Sequence, residues 1–144
     1  MKLTRTVCFG SCPAYTVTIH PDGSVDWRGT QYVAAVGARH GRIADDGFAR
    51  LARAIEKVRF FELDENGKLP RPTTCTHRGK TSECDFPDIV MCSDTPTATV
   101  TITRDNVSHT TSNQHCQSTP LDLLEEEIDD VARTRAWIGG GAAR

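Results

Sequence analysis

Residues 15–28, which read YTVTIHPDGSVDWR, decide the fold predicted for this chain. Apolar and polar side chains alternate on both sides of Pro21-Asp22-Gly23. Alternation with a period of two is typical of a strand that buries one face, and Pro-Asp-Gly favours a tight turn. The stretch therefore predicts a β-hairpin. The side chains predicted to face the core are Tyr15, Val17, Ile19, Val25 and Trp27.

A second hairpin is predicted at residues 97–111, where apolar side chains alternate with threonines around Asp105-Asn106. A two-residue turn at that dipeptide gives cross-strand partners whose numbers sum to about 211. In this register His109 lies opposite Ile102 and is partly buried. The opposite sheet face is rich in threonine, and it could hold a ligand or a second subunit.

One more strand and a helix are predicted between the two hairpins. The strand covers residues 31–36, and residues 38–41 are predicted to form a loop. The helix follows with Asp45 as its N-cap, and its apolar side chains recur at helical spacing. These side chains are Phe48, Leu51, Ala52, Ile55 and Val58.

A second helix is predicted to begin at Thr119, the N-cap, with Pro120 at its first position and Asp122 at its third. It is predicted to continue to the glycines at 139–141. Its acidic side chains are interpreted as the solvated face of the helix. They are Glu125, Glu126, Glu127, Asp129 and Asp130.

Residues 64–91 break the regular pattern with prolines, glycines and two cysteines, and are predicted to form an irregular insertion. The predicted order is β-β-β-α-insertion-β-β-α. Strands joined by hairpins imply an antiparallel sheet, here of about five strands, with two helices packed on one face. The chain is thus predicted to be a single α+β domain over residues 1–144, a usual domain length.

Charge and hydropathy exclude two classes of partner. The net charge is −2, so nothing favours nucleic acid as a partner. Apolar runs are a few residues long, far below the roughly 20 that a membrane-spanning helix needs. Residues 1–7 lack the apolar core of a signal peptide.

The segment Cys8-Phe9-Gly10-Ser11-Cys12-Pro13-Ala14-Tyr15 resembles the C-x-G-x-C-P-x-Y signature of a bacterial family of unknown function. The turn at Asp22-Gly23, the segment Asp94-Thr95-Pro96 and the acidic closing helix resemble that family as well. Since members of this kind are often secreted or lipid-anchored, the resemblance implies an extracytoplasmic setting. It implies no reaction. The cysteines of the insertion and Cys116 depart from the family pattern.

Six cysteines in a small domain suggest three disulfides in an oxidising compartment. The hairpin register brings Cys116 near Cys92, which predicts one bridge. A second bridge would close the insertion through Cys75 and Cys84. Cys8 and Cys12 would pair across a tight turn, and each bridge would contribute about 2–4 kcal/mol.

A metal site is the rival interpretation of these cysteines, because thiolates, imidazoles and carboxylates suit zinc. A zinc-bound water would then serve a metal-dependent hydrolase. No C-x-x-C pair supports a standard zinc motif. The candidate ligands are Cys75, His77, Cys84, Cys92, Asp94, His115 and Cys116.

Other catalytic hypotheses have weaker support. Cys8 and Cys12 precede a strand, not a helix N-terminus that would activate a redox thiol. Tyr15 is predicted to be a core aromatic whose hydroxyl finds a backbone partner. No G-x-S-x-G motif accompanies the histidines, which are interpreted as surface or structural residues. The candidate bases are His20, His109 and His115, and the candidate orienting acids are Asp22, Asp26 and Asp94.

The sequence thus predicts a disulfide-stabilised binding or accessory domain in the periplasm or outside the cell, whose signal peptide is absent from this sequence. A cytoplasmic location and the zinc-type hydrolase are the alternatives. No cofactor is expected, apart from zinc in that alternative. The expected partner is a small ligand or a protein, with a homodimer as a further option.

Overall fold

The computed structural model describes residues 1–70, 74–78, 81–85, 92–116 and 118–139. For residues 74–78 and 81–85 it describes the backbone only. Its strands are β1 (Lys2–Arg5), β2 (Ala14–Ile19), β3 (Ser24–Gln31), β4 (Gly37–Arg42), β5 (Thr74–Arg78), β6 (Thr81–Asp85), β7 (Thr97–Arg104) and β8 (Val107–Gln114). Its helices are α1 (Gly47–Val58), α2 (Pro120–Val131) and the single-turn α3 (Arg135–Ile138). A 3-10 turn at Phe60–Glu62 follows α1.

Six strands form one antiparallel sheet in the order β4-β3-β2-β1-β7-β8, and β5 pairs with β6 in a separate two-stranded sheet. The register of β7 and β8 confirms the prediction, because Ile102 lies opposite His109 and Arg104 opposite Val107. Asp105 and Asn106 have φ angles of 52° and 62°. Two consecutive left-handed residues make the turn whose twist matches a hairpin.

The core lies between the inner face of this sheet and the helices. Trp27 and Phe60 are fully buried there, with the apolar faces of α1 and α2 packed over them. The α+β class and the antiparallel sheet are confirmed. Within the described residues, no helix is both long and apolar enough to cross a membrane.

The strands differ from the prediction in two places. β1 was missed, because only Leu3 of its four residues is apolar, yet β1 lies between β2 and β7. The sequence predicts the third strand at 31–36, but the edge strand is β4, at residues predicted to be a loop. The reason is a set of tertiary contacts. The Ala35 carbonyl accepts the Trp27 indole N–H, and the Ala35 N–H donates to the Trp137 carbonyl.

The helices also differ in detail. The N-cap of α1 is Asp46, one residue later than predicted, and Phe48 is half exposed. Gly47 sits so close to α2 that an added Cβ would lie 2.7 Å from Val131 Cγ1. Thr119 is the N-cap of α2 as predicted, and Asp122 Oδ2 accepts the Thr119 N–H at 2.8 Å. The helix α2 ends at Val131, before α3.

The predicted insertion at 64–91 contains the paired antiparallel strands β5 and β6. It begins with an ordered turn in which the Asp64 carboxylate accepts the N–H groups of Asn66 and Lys68, each at 2.9 Å. The Glu65 carbonyl then accepts the Ser112 N–H of edge strand β8 at 3.0 Å. The start of the insertion therefore covers part of a sheet edge.

We expect Gly29→Ala to destabilise the fold by about 1–3 kcal/mol, the usual cost of overpacking. The added Cβ would lie 2.7 Å from Val33 Cγ2, 2.9 Å from Trp27 Nε1 and closer still to the Ala35 carbonyl. That carbonyl is held by the Trp27 indole and cannot retreat freely. Urea unfolding measures the effect. Arg28→Ala, an exposed neighbour, is the control, and equal losses in both variants would contradict this packing.

Candidate functional site

A row of polar side chains crosses the inner sheet face where the apolar core ends. Tyr15 of β2 pairs with Arg5 of β1, Arg5 pairs with Ala98 of β7, and Ala98 pairs with Asn113 of β8. Tyr15 is 2% and Asn113 1% exposed. Buried polar groups need partners, and α2 provides them for the Tyr15 hydroxyl, the Arg5 guanidinium and Asn113 Nδ2, whereas Asn113 Oδ1 has no partner among the described residues.

Arg5 lies between two carboxylates of α2. Its Nη1 donates to Glu125 Oε2 at 2.9 Å, and its Nη2 donates to Asp129 Oδ2 at 2.9 Å. The side chain of Glu125 is 1% and that of Asp129 12% exposed. The acidic run was interpreted as a solvated face, and for these two residues that interpretation is wrong. They lie four residues apart, so both point from one side of α2 towards β1.

Tyr15 completes the arrangement at Asp129. Its hydroxyl donates to Asp129 Oδ1 at 2.6 Å, and the Thr134 hydroxyl donates to the same oxygen at 2.9 Å. Burial, and then the charge of Asp129, raise the pKa of Tyr15 far above its ordinary value. The partner is thus a carboxylate and not the predicted backbone group. A protonated, buried phenol acts here as a fixed hydrogen-bond donor.

The guanidinium stays charged despite its surroundings. Burial alone lowers the pKa of Arg5, but the Asp129 and Glu125 carboxylates outweigh it and raise that pKa. Removing either Arg5 or its carboxylate partners would leave a buried charge unpaired. The loss of folding free energy would be far larger than the contribution of an exposed ion pair. We call Arg5, Tyr15, Asn113, His115, Asp122, Glu125 and Asp129 the polar cluster.

His115 closes the polar cluster on its solvent side, with 27% of its side chain exposed. Its Nε2 is 2.9 Å from Glu125 Oε2, and its Nδ1 is 3.4 Å from Asp122 Oδ1. The hydrogen bond to Glu125 is the main cause that raises the pKa of His115. Both ring nitrogens face carboxylates, so neither is free to take a proton from a substrate.

This contact predicts how stability depends on pH. Because the folded pKa of His115 exceeds the ordinary 6.5, its stabilising contribution is complete below about pH 6.5 and is lost as the pH rises through the folded pKa. The stability difference between the protein and His115→Asn should therefore shrink from about pH 5.5 to pH 9. Urea unfolding across that range measures it, with Gln114→Ala as control. A difference that grows with pH would contradict the contact.

His115, Asp122 and Glu125 also offer one nitrogen and two carboxylate oxygens, all within 4.8 Å of one another. Two donors already occupy these oxygens. Arg5 Nη1 lies 2.9 Å from Glu125 Oε2 and 3.4 Å from His115 Nε2, and Asn113 Nδ2 donates to Asp122 Oδ1 at 2.5 Å. A divalent ion would meet the positive guanidinium at short range, so the trio is a poor cation site.

Two of the other predicted zinc ligands are oxidised, so neither is a thiolate. Cys92 and Cys116 form a disulfide with Cα atoms 6.1 Å apart, as the pairing prediction required. Cys75 lies opposite Cys84 in β5 and β6, and His77 lies in β5. Their side chains fall outside the described part of the structure, so that bridge stays a prediction.

The second disulfide of the described residues, Cys8–Cys12, confirms another of the three predicted bridges, with Cα atoms 5.5 Å apart. Between its cysteines Phe9 is 89% exposed. The Phe9 N–H donates to the carbonyl of Asp94 at 3.1 Å, and Asp94 holds a φ of 66°. Asp94 thus links the loop at 8–12, which we call the Cys8–Cys12 loop, to the segment that carries Cys92.

The other histidines whose side chains are described do not converge on a nucleophile. His20 Nε2 and His40 Nδ1 contact the two oxygens of Asp26, at 2.8 and 2.7 Å, at an exposed site. His109 is partly buried and contacts the Leu63 carbonyl at 3.1 Å. Among the residues that the structure describes, no serine or free cysteine lies within hydrogen-bond distance of an imidazole.

A comparison with known families finds a match over the residues that form the polar cluster and the two described disulfides. A family model described as a domain of unknown function, DUF6438, matches residues 1–132. The chain belongs to this family. In this DUF6438 member the matched residues include the polar cluster, both described disulfides and all of α2. Neither the comparison with curated proteins nor the comparison with solved structures found a match.

Sequence reasoning missed the buried charges of this DUF6438 domain. The usable signal was spacing: Arg5 is in phase with Leu3 along β1, and Glu125 and Asp129 are in phase with the apolar stripe of α2. A charge in phase with a buried stripe points to a partner across the core, but spacing alone does not identify that partner.

Proposed function

We propose that this chain is a disulfide-stabilised, extracytoplasmic binding domain that presents the Cys8–Cys12 loop to a protein partner with an apolar pocket. Phe9 carries the proposal, because it is 89% exposed on a loop whose backbone is fixed. Val7 beside it is 43% exposed. Exposed aromatic side chains held in place are typical anchors of protein interfaces.

Preorganisation is the physical reason to favour binding. The disulfide and the hydrogen bond to Asp94 already restrict the loop, so a partner would not meet the entropic cost of ordering it. β1 leads into the loop, and Arg5 fixes the end of β1 to α2. The polar cluster therefore supports the loop without offering a free base or nucleophile.

The extracytoplasmic setting is supported by the cysteines themselves. Disulfides persist in oxidising compartments and are rare in a reducing cytosol. Both described bridges lie at the same end of the main sheet as the loop. Counting the thiols of the denatured, unreduced protein tests this part of the proposal, and six free thiols would refute it.

Binding is tested by cross-linking the protein to its partner in the cells that make it, and by comparing the unchanged protein with Phe9→Ser. Val107→Ser is the matched control, because Val107 is 69% exposed at the tip of the β7–β8 hairpin. We expect the unchanged protein and the control to capture a partner. With purified components, Phe9→Ser should weaken the affinity for that partner at least roughly thirtyfold. Equal affinity for all three proteins would refute the proposal.

The zinc-type hydrolase is the second candidate, on the single observation that His115, Asp122 and Glu125 lie together. Metal analysis of the purified protein tests it. We expect no stoichiometric zinc, because Arg5 competes for Glu125. Zinc bound at one ion per chain and lost in His115→Ala would favour the enzyme instead.

A further inference from the structure

We propose that the groove between α1 and α2 binds a small amphipathic anion: an alkyl chain that ends in a carboxylate. The groove is open to solvent and has a volume of about 420 Å³, which is in the usual range for small-molecule sites. It lies on the helical side of the molecule, and none of its lining residues belongs to the polar cluster or the Cys8–Cys12 loop.

The floor of the groove is apolar. Ala54 and Val58 of α1 form one side, and Leu123 of α2 forms the other. Leu123 is 50% exposed although α2 buries its other leucines. A half-exposed leucine facing an alanine and a valine offers an alkyl chain apolar surface that water now covers.

The rim of the groove is positively charged. Arg53 and Lys57 lie four residues apart on α1, both exposed, and neither contacts a carboxylate among the described residues. Exposed cations are common on helices, so they do not define a site alone. Their position beside an apolar floor selects an occupant with both an alkyl and an anionic part.

Arg50 holds the two walls together. Its Nε contacts Glu127 Oε1 at 2.6 Å, and its Nη2 contacts Asp130. Arg50 offsets one of these two carboxylates, so Arg53 and Lys57 are needed to give the five charged side chains a net charge of +1. The groove is thus formed before any ligand arrives, which lowers the cost of binding.

Titration with decanoate, followed by amide chemical shifts, tests the proposal, with decyltrimethylammonium as the matched cation. We expect saturable binding with a Kd on the order of 1 mM or tighter, with shifts concentrated in α1 and α2. Binding should weaken as salt is raised, because exposed charges are screened. The cation should show no saturable binding at these helices.

The variant for this test is Arg53→Gln with Lys57→Gln, and the control is Arg28→Gln with Arg39→Gln, two exposed arginines of β3 and β4. Both double variants lose two positive charges, and only the first should weaken the affinity for decanoate, by roughly tenfold. Thermal unfolding checks that each is folded. Equal effects, equal affinity for the cation, or binding only to anionic phosphatidylglycerol vesicles would each overturn the proposal.

Discussion

Arg5→Met is expected to lower the free energy of unfolding by about 3–5 kcal/mol, the cost of breaking a buried ion pair from one side. The substitution leaves the carboxylates of Glu125 and Asp129, 1% and 12% exposed, without the guanidinium that lies between them. It also removes the contact of Arg5 Nε with the Tyr15 hydroxyl at 3.0 Å. Urea unfolding measures the change.

The matched control is Arg50→Met, which removes another arginine that joins two acidic side chains. Arg50 is 27% exposed, close to the 20% of Arg5, but its partners Glu127 and Asp130 are 27% and 63% exposed. We expect a loss of about 1 kcal/mol or less, since water solvates those carboxylates. The burial of the partners therefore decides the difference between the two variants.

A neutral version of the cluster separates charge from packing. In Arg5→Met with Glu125→Gln and Asp129→Asn, the oxygens that accept from Tyr15 and Asn113 remain, and no charge is left unpaired. We expect this triple variant to be more stable than Arg5→Met alone. A triple variant less stable than the single one, or equal losses for Arg5→Met and Arg50→Met, would contradict the buried ion pair.

Removing the Cys92–Cys116 disulfide is expected to cost about 3 kcal/mol through the entropy of the unfolded chain. The bridge joins residues separated by 24 positions, whereas Cys8–Cys12 joins residues separated by 4. A longer closed loop restrains the unfolded chain more, so removing Cys8–Cys12 should cost only about 2 kcal/mol. Each double serine variant removes both thiols and leaves no unpaired cysteine from that bridge.

Urea unfolding under non-reducing conditions measures both losses. The two bridges should also differ in function. The variant Cys8→Ser with Cys12→Ser should weaken the binding of the partner that contacts Phe9, because this variant releases the loop that holds the Phe9 side chain. A larger loss of stability without Cys8–Cys12 than without Cys92–Cys116 would contradict the entropic account. Full partner affinity in the Cys8–Cys12 variant would show that the disulfide does not preorganise the loop.

Local chemistry explains which elements the sequence alone predicted. The alternation in residues 15–28 and the Asp105-Asn106 turn each act over a few residues, and both hairpins follow from them. The same holds for the cap at Thr119 and for the Cys92–Cys116 bridge, which follows from the hairpin register. These features need no knowledge of what packs against them.

Contacts between distant segments decided the rest. β1 is a strand because β2 and β7 hold it on both sides, and residues 32–36 leave the sheet because α3 and Trp27 bind their backbone. Glu125 and Asp129 are buried only because Arg5, more than a hundred residues away along the chain, lies opposite them. Periodicity determines which residues share a face, whereas the energy of burying a charge depends on the partner that the fold brings to it.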